Sequence, residues 1–411
     1  MKEKINIKKA SALLMVLFLS WGNFQIGGLY FYIIFQVLYC IGNLASNKNR
    51  IYFSNSILIN GIFMFNIISF ISGMLTYLPD SFKRYTLLMV VVLIPSYFAY
   101  TYLFYECKED KNYLKDIVYV LKIGFIIQIM YLPIQLLFYK CLNIDLNDII
   151  FNKILHLMNN PTFFRQGTFF PSAFVWHSAV LAPMFVLAML LFDNIWIRCI
   201  ILLDAFICGN STALVGVLLV IVFLVIHFVG QSNAKIGKKL LLSIMLILCG
   251  GLLFISIPKG YSIIYNKVSY LLARVLNVSS DTSSAAHMSY YTLYPQIVRN
   301  NGWIASAFGT GYASSGFSIT SINGQYAGLQ HWVVESDFID ILVSRGVIGF
   351  ISYYVFLLYI GFKGKKIDYR YIVAIAVIMI QGITYNVQFE YLFFIELLMF
   401  GSIKLKINFF E

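Results

Sequence analysis

Charged residues are scarce in this chain, and their scarcity excludes a soluble globular protein. Lysine, arginine, aspartate and glutamate make up 12% of its 411 residues, roughly half of their usual share in soluble domains. The six cysteines show neither the spacing of a zinc site nor a disulfide framework. Apolar residues take the place of the missing charge: 60% are hydrophobic, and the mean hydropathy is +0.79. The composition predicts a polytopic membrane protein.

Apolar runs long enough to cross a hydrocarbon core of roughly 30 Å recur along the whole chain. Because they lack the alternation of an outer-membrane barrel, we expect an all-α fold with about 12 transmembrane helices in one integral membrane domain, 1–411. The predicted spans are 10–24, 28–46, 51–76, 85–105, 117–138, 172–191, 195–208, 212–229, 240–257, 341–362, 369–387 and 389–403. The seventh and the last are short, which indicates half-inserted helices or helices packed inside the bundle.

The net charge of +12 is explained by membrane topology rather than by nucleic-acid binding. With a cytoplasmic N-terminus, one side receives 19 of the 30 lysines and arginines. These are Lys2, Lys4, Lys8, Lys9, Lys48, Arg50, Lys108, Lys111, Lys115, Arg198, Lys235, Lys238, Lys239, Lys363, Lys365, Lys366, Arg370, Lys404 and Lys406. The positive-inside rule therefore predicts that both termini are cytoplasmic.

Two connections on the predicted outer side are long. External loop one covers 139–171, and external loop two covers 258–336, between the ninth and tenth spans. Loop two is too rich in aromatic residues for a disordered segment, and its spacing predicts short helices on the membrane surface at 262–275 and 284–298. The glycines of 309–316 predict a tight turn with exposed backbone. The aromatics suit either an interfacial belt or platforms for sugar rings.

Several basic residues of these loops are candidate phosphate ligands. Arg165 leads into the sixth span, where a planar guanidinium can form paired, charge-assisted hydrogen bonds to a pyrophosphate. The alternative is that Arg165 snorkels to the membrane surface. However, Arg165 lies on the predicted outer side, where the positive-inside rule predicts few basic residues. Arg299 is the second candidate, weighed against plain solvation. Arg274, His287 and Arg345 are additional candidates that only the tertiary fold can bring together.

One imidazole and three carboxylates are concentrated where loop two meets the tenth span. His331 and Glu335 are four residues apart, so they share a face if the segment is helical. A carboxylate beside a histidine can accept the proton of an attacking sugar hydroxyl. Asp337 and Asp340 are assigned to structure instead, because acidic residues are favoured in the first turn of a helix that starts near Ser336. Arg345 is placed to pair with one of these carboxylates.

Four further ionisable residues fall in or near predicted spans. His177, about one turn into the sixth span, is expected to pack or hydrogen-bond there. Asp204, Glu390 and Glu396 would suit the coupling-ion sites of a transporter. The sequence shows no pair of broken helices at matching positions in two halves, which weakens the transporter interpretation.

Together these features resemble the bacterial O-antigen polymerase (Wzy) and O-antigen ligase superfamily. The resemblance rests on about twelve spans, the Arg-x-Gly-Thr-Phe-x-Pro motif beginning at Arg165, and the Gly-Thr-Gly turn beginning at Gly309. It also includes the His-x-x-x-Glu-Ser-Asp motif beginning at His331, followed by Gly346 and Gly349. The family transfers a glycan from undecaprenyl pyrophosphate to a hydroxyl acceptor on the outer face of the bacterial inner membrane, without a metal or another cofactor.

The resemblance implies a role for each matching residue. Arg165 and Arg299 would bind the pyrophosphate, and His331 and Glu335 would be catalytic in an inverting transfer. The polymerase is favoured over the ligase because segments 210–213 and 283–287 lack the arginines that ligases of the group tend to carry. A lipid-linked oligosaccharide flippase is the alternative of a different class. The implied partners are an undecaprenyl-pyrophosphate-linked oligosaccharide, membrane lipids, a chain-length regulator and a flippase, with no nucleic acid.

Reporter fusions test the predicted topology. Alkaline phosphatase fused after Trp332 should be active, because the enzyme folds only outside the cytoplasm. The same enzyme fused after Lys365 should be inactive, and serves as the matched control. An inactive fusion after Trp332, at a protein level equal to that of the control, would place loop two in the cytoplasm and contradict the assignment.

Overall fold

A computed structural model describes residues 7–27, 29–46, 51–75, 80–157, 162–165, 168–230, 291, 294–296, 299, 302–311, 314–320, 336–385 and 390–411. Within these residues, 79% are helical. The long helices are α1 (Ile7–Leu17), α2 (Phe31–Ser46), α3 (Ile57–Leu75), α4 (Asp80–Glu109), α5 (Lys111–Leu142), α6 (Leu181–Leu191), α7 (Ile195–Ile207), α8 (Ser211–Gly230), α9 (Asp337–Gly364), α10 (Arg370–Thr384) and α11 (Glu390–Leu405).

Shorter elements connect the long helices. They are a π-helix (Asp148–Ile154), a 3₁₀ helix (Ser178–Val180), helical residues 302–308 and a short helix (Ser315–Thr320). Two antiparallel hairpins pair β1 (Gln25–Ile26) with β2 (Leu29–Tyr30) and β3 (Phe163–Arg165) with β4 (Thr168–Phe170). In the second hairpin, Arg165 is the register partner of Thr168.

The helices follow the apolar runs of the sequence. Each predicted span that falls within the described residues overlaps a long helix, whereas the ninth, 240–257, lies outside them. Among the residues that the structure describes, three helices, α3, α5 and α9, are long and apolar enough to cross a membrane. The mainly helical fold is therefore confirmed, and the total of twelve spans stays a prediction.

Short helices form the centre of the bundle. Every residue of α6 is buried, and so are residues 391–403 of α11. The prediction that the last, short helix packs inside the bundle is thus confirmed. The seventh differs, because Trp196 of α7 is 72% exposed. A central helix that is apolar all round needs neighbours on every side, and the longer helices supply them.

The outer helices turn apolar side chains away from the protein. On α8 and α9 the exposed residues recur at helical spacing. They are Val215, Leu218, Val222 and Ile226 on α8, and Ile351, Val355, Leu358 and Phe362 on α9. Contiguous apolar faces of this kind are rare on soluble monomers. In a membrane, lipid chains contact such faces and keep them away from water. Burial and exposure thus agree with the membrane-like composition.

One end of the bundle, here called the basic end, is held by ion pairs between helix junctions. Lys8 of α1 pairs with Glu106, close to the α4–α5 junction. Arg370, at the α9–α10 junction, lies 3.6 Å from Asp193 at the α6–α7 junction. Lys122 of α5 interacts electrostatically with both Arg370 and Asp193. Lys8 and Arg370, which the positive-inside rule assigned to the cytoplasmic side, therefore both lie at the basic end.

The opposite end, here called the loop end, collects the longer connections. The backbone N–H of Asn23, after α1, donates to the carbonyl of Phe174 at 2.7 Å. The ring of Phe170, in the β3–β4 hairpin, packs so closely on Gly209 that a Cβ there would lie 2.1 Å from it. The connections after α1, after α5 and after α7 therefore meet at this end.

The sixth span begins later than predicted. Residues 171–177 are not helical, and the 3₁₀ helix before α6 follows them. Oε1 of Gln135 in α5 accepts hydrogen bonds from the backbone N–H groups of Ser172 and Ala173, at 3.1 and 2.9 Å. A side chain thus satisfies backbone donors that a helix would otherwise pair. The placement of His177 one turn inside the span was wrong, because it precedes α6.

Helix α9 is broken at Gly346, and residues 302–311 fill the break. Gly346 has φ 67° and ψ 179°, outside helical geometry. The backbone N–H groups of Thr310 and Gly311 donate to the carbonyls of Val343 and Ser344 at 2.9 and 3.2 Å. We call residues 302–311 and 314–320 the inserted segment. These bonds explain why non-helical backbone is tolerated inside an apolar bundle.

The inserted segment corrects the expectation of an exposed turn at 309–316. Thr310 is 2% exposed, and Ser314 and Ser315 are fully buried. Ser72 of α3 donates its hydroxyl to the carbonyl of Gly309 at 2.6 Å. Exposure was expected because glycine-rich turns usually lie in water. Here the backbone finds its partners on α3 and α9 instead.

Replacing Gly346 by alanine should destabilise the fold. A Cβ at this position would lie 2.4 Å from the backbone of Ala307, at a positive φ that side chains rarely adopt. We expect Gly346→Ala to lower the free energy of unfolding by about 2 kcal/mol or more. Gly61→Ala in α3 is the matched control, because nothing lies within 4 Å of its Cβ.

Thermal unfolding of the two purified variants in detergent measures the difference. The control should be neutral or slightly stabilising, because alanine is the better helix former by up to about 1 kcal/mol. Equal melting temperatures for Gly346→Ala and the unmodified chain would show that the break is not required.

Candidate functional site

The β3–β4 hairpin places Arg165 at the loop end. The structure describes the backbone of this residue, at the last position of β3. Two ring contacts anchor the hairpin: Phe169 stacks on Tyr139 of α5 at 4.0 Å between centroids, and Phe163 lies 4.0 Å from His177. A predicted pyrophosphate ligand therefore stands on a strand that packs firmly against the helix bundle.

His177 joins the hairpin to the end of α10. Its Nδ1 accepts the backbone N–H of Ala179 at 3.0 Å, which caps the 3₁₀ helix. The neutral ring then carries its proton on Nε2. On the other side, the imidazole stacks with Tyr385 at 6.2 Å and an interplanar angle of 18°. His177 thus connects two loops through ring contacts, as well as forming the packing and hydrogen-bond interactions expected of it.

The start of α9 is bound to the same end of α10. The hydroxyl of Ser336 donates to the carbonyl of Ile383 at 3.1 Å, and the hydroxyl of Tyr291 donates to the same carbonyl at 2.7 Å. Ile383 is two residues before Tyr385. The hairpin with Arg165, His177 and the first turn of α9 are therefore linked through a single short stretch of chain.

Both aspartates of the first turn of α9 are buried. The predicted helix start near Ser336 is confirmed, with Ser336 at the N-cap position. However, Asp337 is 1% and Asp340 is 8% exposed, so neither is a solvated capping group. Asp340 accepts the hydroxyl hydrogen of Ser315 in the inserted segment. Asp337 packs against α10, where a Cβ at Gly382 would lie 2.6 Å from its Oδ2.

Arg345 extends this polar group into the bundle. It interacts electrostatically with Asp340, as predicted from the sequence. Its guanidinium carbon lies 5.4 Å from the ring centroid of Tyr353. The hydroxyl of Tyr353 donates to Oε2 of Glu396 at 2.9 Å. Buried carboxylates and the half-buried guanidinium of Arg345 therefore meet around the break in α9, where mutual compensation lowers the cost of burial.

Hydroxyl groups fix the turn of the inserted segment. The Thr310 and Ser314 hydroxyl oxygens are 2.8 Å apart, and Ser318 donates to Thr310 Oγ1 at 3.0 Å. Ser314 also donates to the carbonyl of Gly311 at 2.6 Å. The Gly-Thr-Gly motif is therefore a structural junction between α3, α9 and the inserted segment.

The predicted site residues are only partly brought together. The backbone of Arg165 lies at the loop end. Arg299 is helical and exposed, and Arg345 is half-buried near the break in α9. The catalytic candidates His331 and Glu335 lie outside the described residues, although Ser336 directly follows Glu335. The additional candidates Arg274 and His287 also lie outside them.

Sequence reasoning missed two residues that organise this region. Tyr385, at the end of α10, stacks with His177. Its position at the end of an apolar run was the one feature of the sequence that could have indicated a role at the loop end. Ser315 supplies the hydrogen bond to Asp340, and nothing in the local sequence indicated it. A single serine in a serine-rich segment has no distinguishing pattern.

Another basic residue of loop one is already paired. Lys153 Nζ lies 3.1 Å from Asp148 Oδ2 within the π-helix. Hydrogen bonds from Asn152 and then from Lys153 hold the pKa of Asp148 below its ordinary value. Lys153 is therefore already engaged by a carboxylate of its own helix.

Neither a search for metal-binding groups among the described residues nor a comparison with known proteins assigns a function to this region. Among the residues that the structure describes, no group of three or more His, Cys, Asp or Glu side chains could hold a metal ion. No protein-family model matches the chain, and no curated protein matches it.

Removing the hydroxyl of Ser315 should destabilise the region around α9. The buried carboxylate of Asp340 would lose its donor, and a hydrogen bond to a charged group contributes about 2 kcal/mol. Ser306→Ala in the same segment is the control, because Ser306 donates only to the carbonyl one turn away. Thermal unfolding in detergent measures both variants.

The same substitution in an Asp340→Asn background completes the test. The effect of Ser315→Ala should shrink there, because the remaining amide oxygen is uncharged. Identical losses in both backgrounds would show that the hydrogen bond does not involve a charged Asp340.

Proposed function

We propose that this chain is a membrane glycosyltransferase that polymerises lipid-linked repeat units. It transfers a growing glycan from undecaprenyl pyrophosphate to a sugar hydroxyl of another lipid-linked repeat unit, on the outer face of the bacterial inner membrane. The observation that carries the proposal is the meeting of two motif regions at the loop end. The hairpin of Arg165 and the first turn of α9 are joined there through His177, Tyr385 and Ile383.

The donor side of the proposed reaction uses guanidinium groups. Arg165 and Arg299 bind the diphosphate, whose negative charge grows as the anomeric bond breaks. Arginine suits this role because it stays charged at any relevant pH and forms paired hydrogen bonds. Preorganised positive charge at the leaving group is the largest single contribution to the rate of such a transfer. The exposure of Arg299 leaves it accessible to a lipid head group.

The acceptor side uses the motif that precedes α9. The oxygen of the acceptor hydroxyl forms a bond to the anomeric carbon while the bond from that carbon to the diphosphate breaks. The hydroxyl proton passes to Glu335 or His331, and undecaprenyl pyrophosphate leaves with the bond electrons. Attack from the face opposite the leaving group inverts the anomeric centre. Ser336 holds the end of this motif against α10, which supports a fixed position for the base.

Exposed rings beside the hairpin suit a sugar ligand. Phe164 is 47% and Trp176 is 45% exposed, although both lie next to tightly packed aromatic residues. A flat apolar ring can stack on the C–H face of a pyranose. These rings offer the acceptor glycan a binding surface within a few residues of Arg165 and His177.

The orientation of the protein follows from the distribution of charge. Lys8, Lys122, Arg198 and Arg370 all belong to the basic end, opposite the hairpin and the start of α9. A cytoplasmic basic end obeys the positive-inside rule. In this orientation both termini are cytoplasmic, and the loop end faces the side where lipid-linked repeat units are polymerised.

Surface polysaccharide tests the proposal in a strain that lacks the gene. Arg165→Ala and Glu335→Gln should shorten the polysaccharide ladder on a gel to single repeat units, and His331→Ala should do the same or lower the yield. Arg165→Lys should restore little, because lysine cannot form the paired hydrogen bonds. We expect losses of at least about a hundred-fold in rate, in line with the removal of one transition-state donor.

Lys140→Ala is the matched control for these variants. Lys140 is an exposed basic residue at the end of α5, in the same external region as Arg165. It should leave the ladder unchanged at equal protein level. Full-length polysaccharide chains from the Arg165→Ala variant would show that Arg165 is not part of the mechanism. Normal ladders from both His331→Ala and Glu335→Gln would show that these two residues have structural roles.

A transporter of lipid-linked oligosaccharides is the second candidate. The break in α9, next to the buried carboxylates of Asp340 and Glu396, favours it, because transporters place broken helices and ionisable groups at their substrate sites. Deleting the gene separates the possibilities. A polymerase leaves single repeat units exported and attached, a flippase leaves them on the inner leaflet, and a ligase leaves polymer on the carrier lipid.

A further inference from the structure

An open apolar groove lies between the inserted segment and the outer face of α9. It has a volume of about 500 Å³, and its walls are Gly302, Trp303, Ser306, Ala307, Val347 and Ile348. This volume is within the range of ligand pockets, roughly 300–1,000 Å³. Trp303 is 75% exposed, so the groove has a large aromatic side chain along its rim. Neither catalysis nor the helix junction explains this exposed apolar surface.

The groove continues into the apolar outer face of α9. Val347 and Ile348 are 41% and 36% exposed, and Ile351, Val355 and Leu358 follow at helical spacing. A chain lying in the groove can therefore pass directly along α9 into the surrounding hydrocarbon. A volume of about 500 Å³ accommodates only a part of a long lipid chain, so the remainder of such a chain would lie against this outer face.

A positive charge stands close to the groove. Arg299 is helical and exposed, three residues before Gly302 in the groove wall. Three residues of chain reach at most about 11 Å, so the guanidinium can contact the head group of a lipid whose tail lies beside Trp303. A cation at the rim of an apolar groove complements an anionic amphiphile.

We infer that this groove binds the first isoprene units of the polyprenyl diphosphate donor, with the diphosphate at Arg299. The inference rests on the proposed function, and it names the part of the protein that holds the lipid. It commits to a polyprenyl chain because the same lipid must present its diphosphate to Arg299 while its tail leaves through the membrane.

Binding of undecaprenyl diphosphate to the purified protein in nanodiscs tests the inference. The double substitution Val347→Ser with Ile348→Ser should weaken binding about ten-fold, which corresponds to about 1.4 kcal/mol of lost apolar contact. Leu218→Ser with Val222→Ser in α8 is the matched control, because these apolar side chains are 45% and 51% exposed but lie on another helix, outside the groove. It should change the affinity by less than about two-fold. Trp303→Ala should act like the double substitution.

A probe without a tail separates tail from head. Inorganic pyrophosphate has no isoprene unit to place in the groove, so the double substitution should leave its binding unchanged, whereas Arg299→Gln should weaken both probes. Equal losses for the groove variants and for the α8 control would overturn the inference. So would equal competition by dioleoylphosphatidylglycerol, which would make the groove an ordinary lipid contact.

Failure of the proposed function gives a different result. It appears in the polysaccharide ladder rather than in lipid binding, because a transporter of lipid-linked oligosaccharides would bind undecaprenyl diphosphate as well. Full-length chains from Arg165→Ala, together with weaker lipid binding by the groove variants, would contradict the transfer reaction and leave the groove assignment intact. Melting temperatures within the range of the control variant confirm that each protein is folded.

Discussion

Every backbone N–H and carbonyl inside an apolar bundle needs a hydrogen-bond partner, and this constraint governs two places where the described part of the chain leaves helical geometry. At the break in α9, the carbonyls of Val343 and Ser344 accept from the amides of Thr310 and Gly311. Before α6, the side-chain amide of Gln135 accepts from two backbone donors. Both irregular segments are therefore held by hydrogen bonds to neighbouring helices, and they can position side chains.

The same two segments bring the candidate chemistry to one end of the molecule. The irregular connection before α6 carries His177, which contacts both the hairpin of Arg165 and Tyr385. The end of α10 then accepts a hydrogen bond from Ser336 at the start of α9. Loops on rigid scaffolds are where binding and catalytic residues concentrate. The proposed transfer reaction uses this arrangement, because the hairpin of Arg165 and Ser336, the residue that follows Glu335, are both anchored at the end of α10.

Helix α9 has a different role on each of its faces. Its inner face carries Asp340 and Arg345, which compensate each other's charge near the break. Its outer face carries the apolar residues that lead away from the groove beside Trp303. Gly346 allows both, because the break admits the inserted segment without removing the helix from the bundle. Under the inference drawn above, the lipid tail would follow the outer face of α9, while the diphosphate would bind Arg299 outside this helix.

Local sequence determined which segments are helical and apolar, since long hydrophobic runs can satisfy their own backbone only as helices. It also predicted the start of α9 near Ser336 and the proximity of Arg345 to a carboxylate. Tertiary structure decided the burial of Thr310, the partnership of Ser315 with Asp340 and the position of His177 before α6. These depend on which helices lie side by side. Periodicity along the chain reports the face that a residue occupies, whereas partners distant in sequence are chosen by packing.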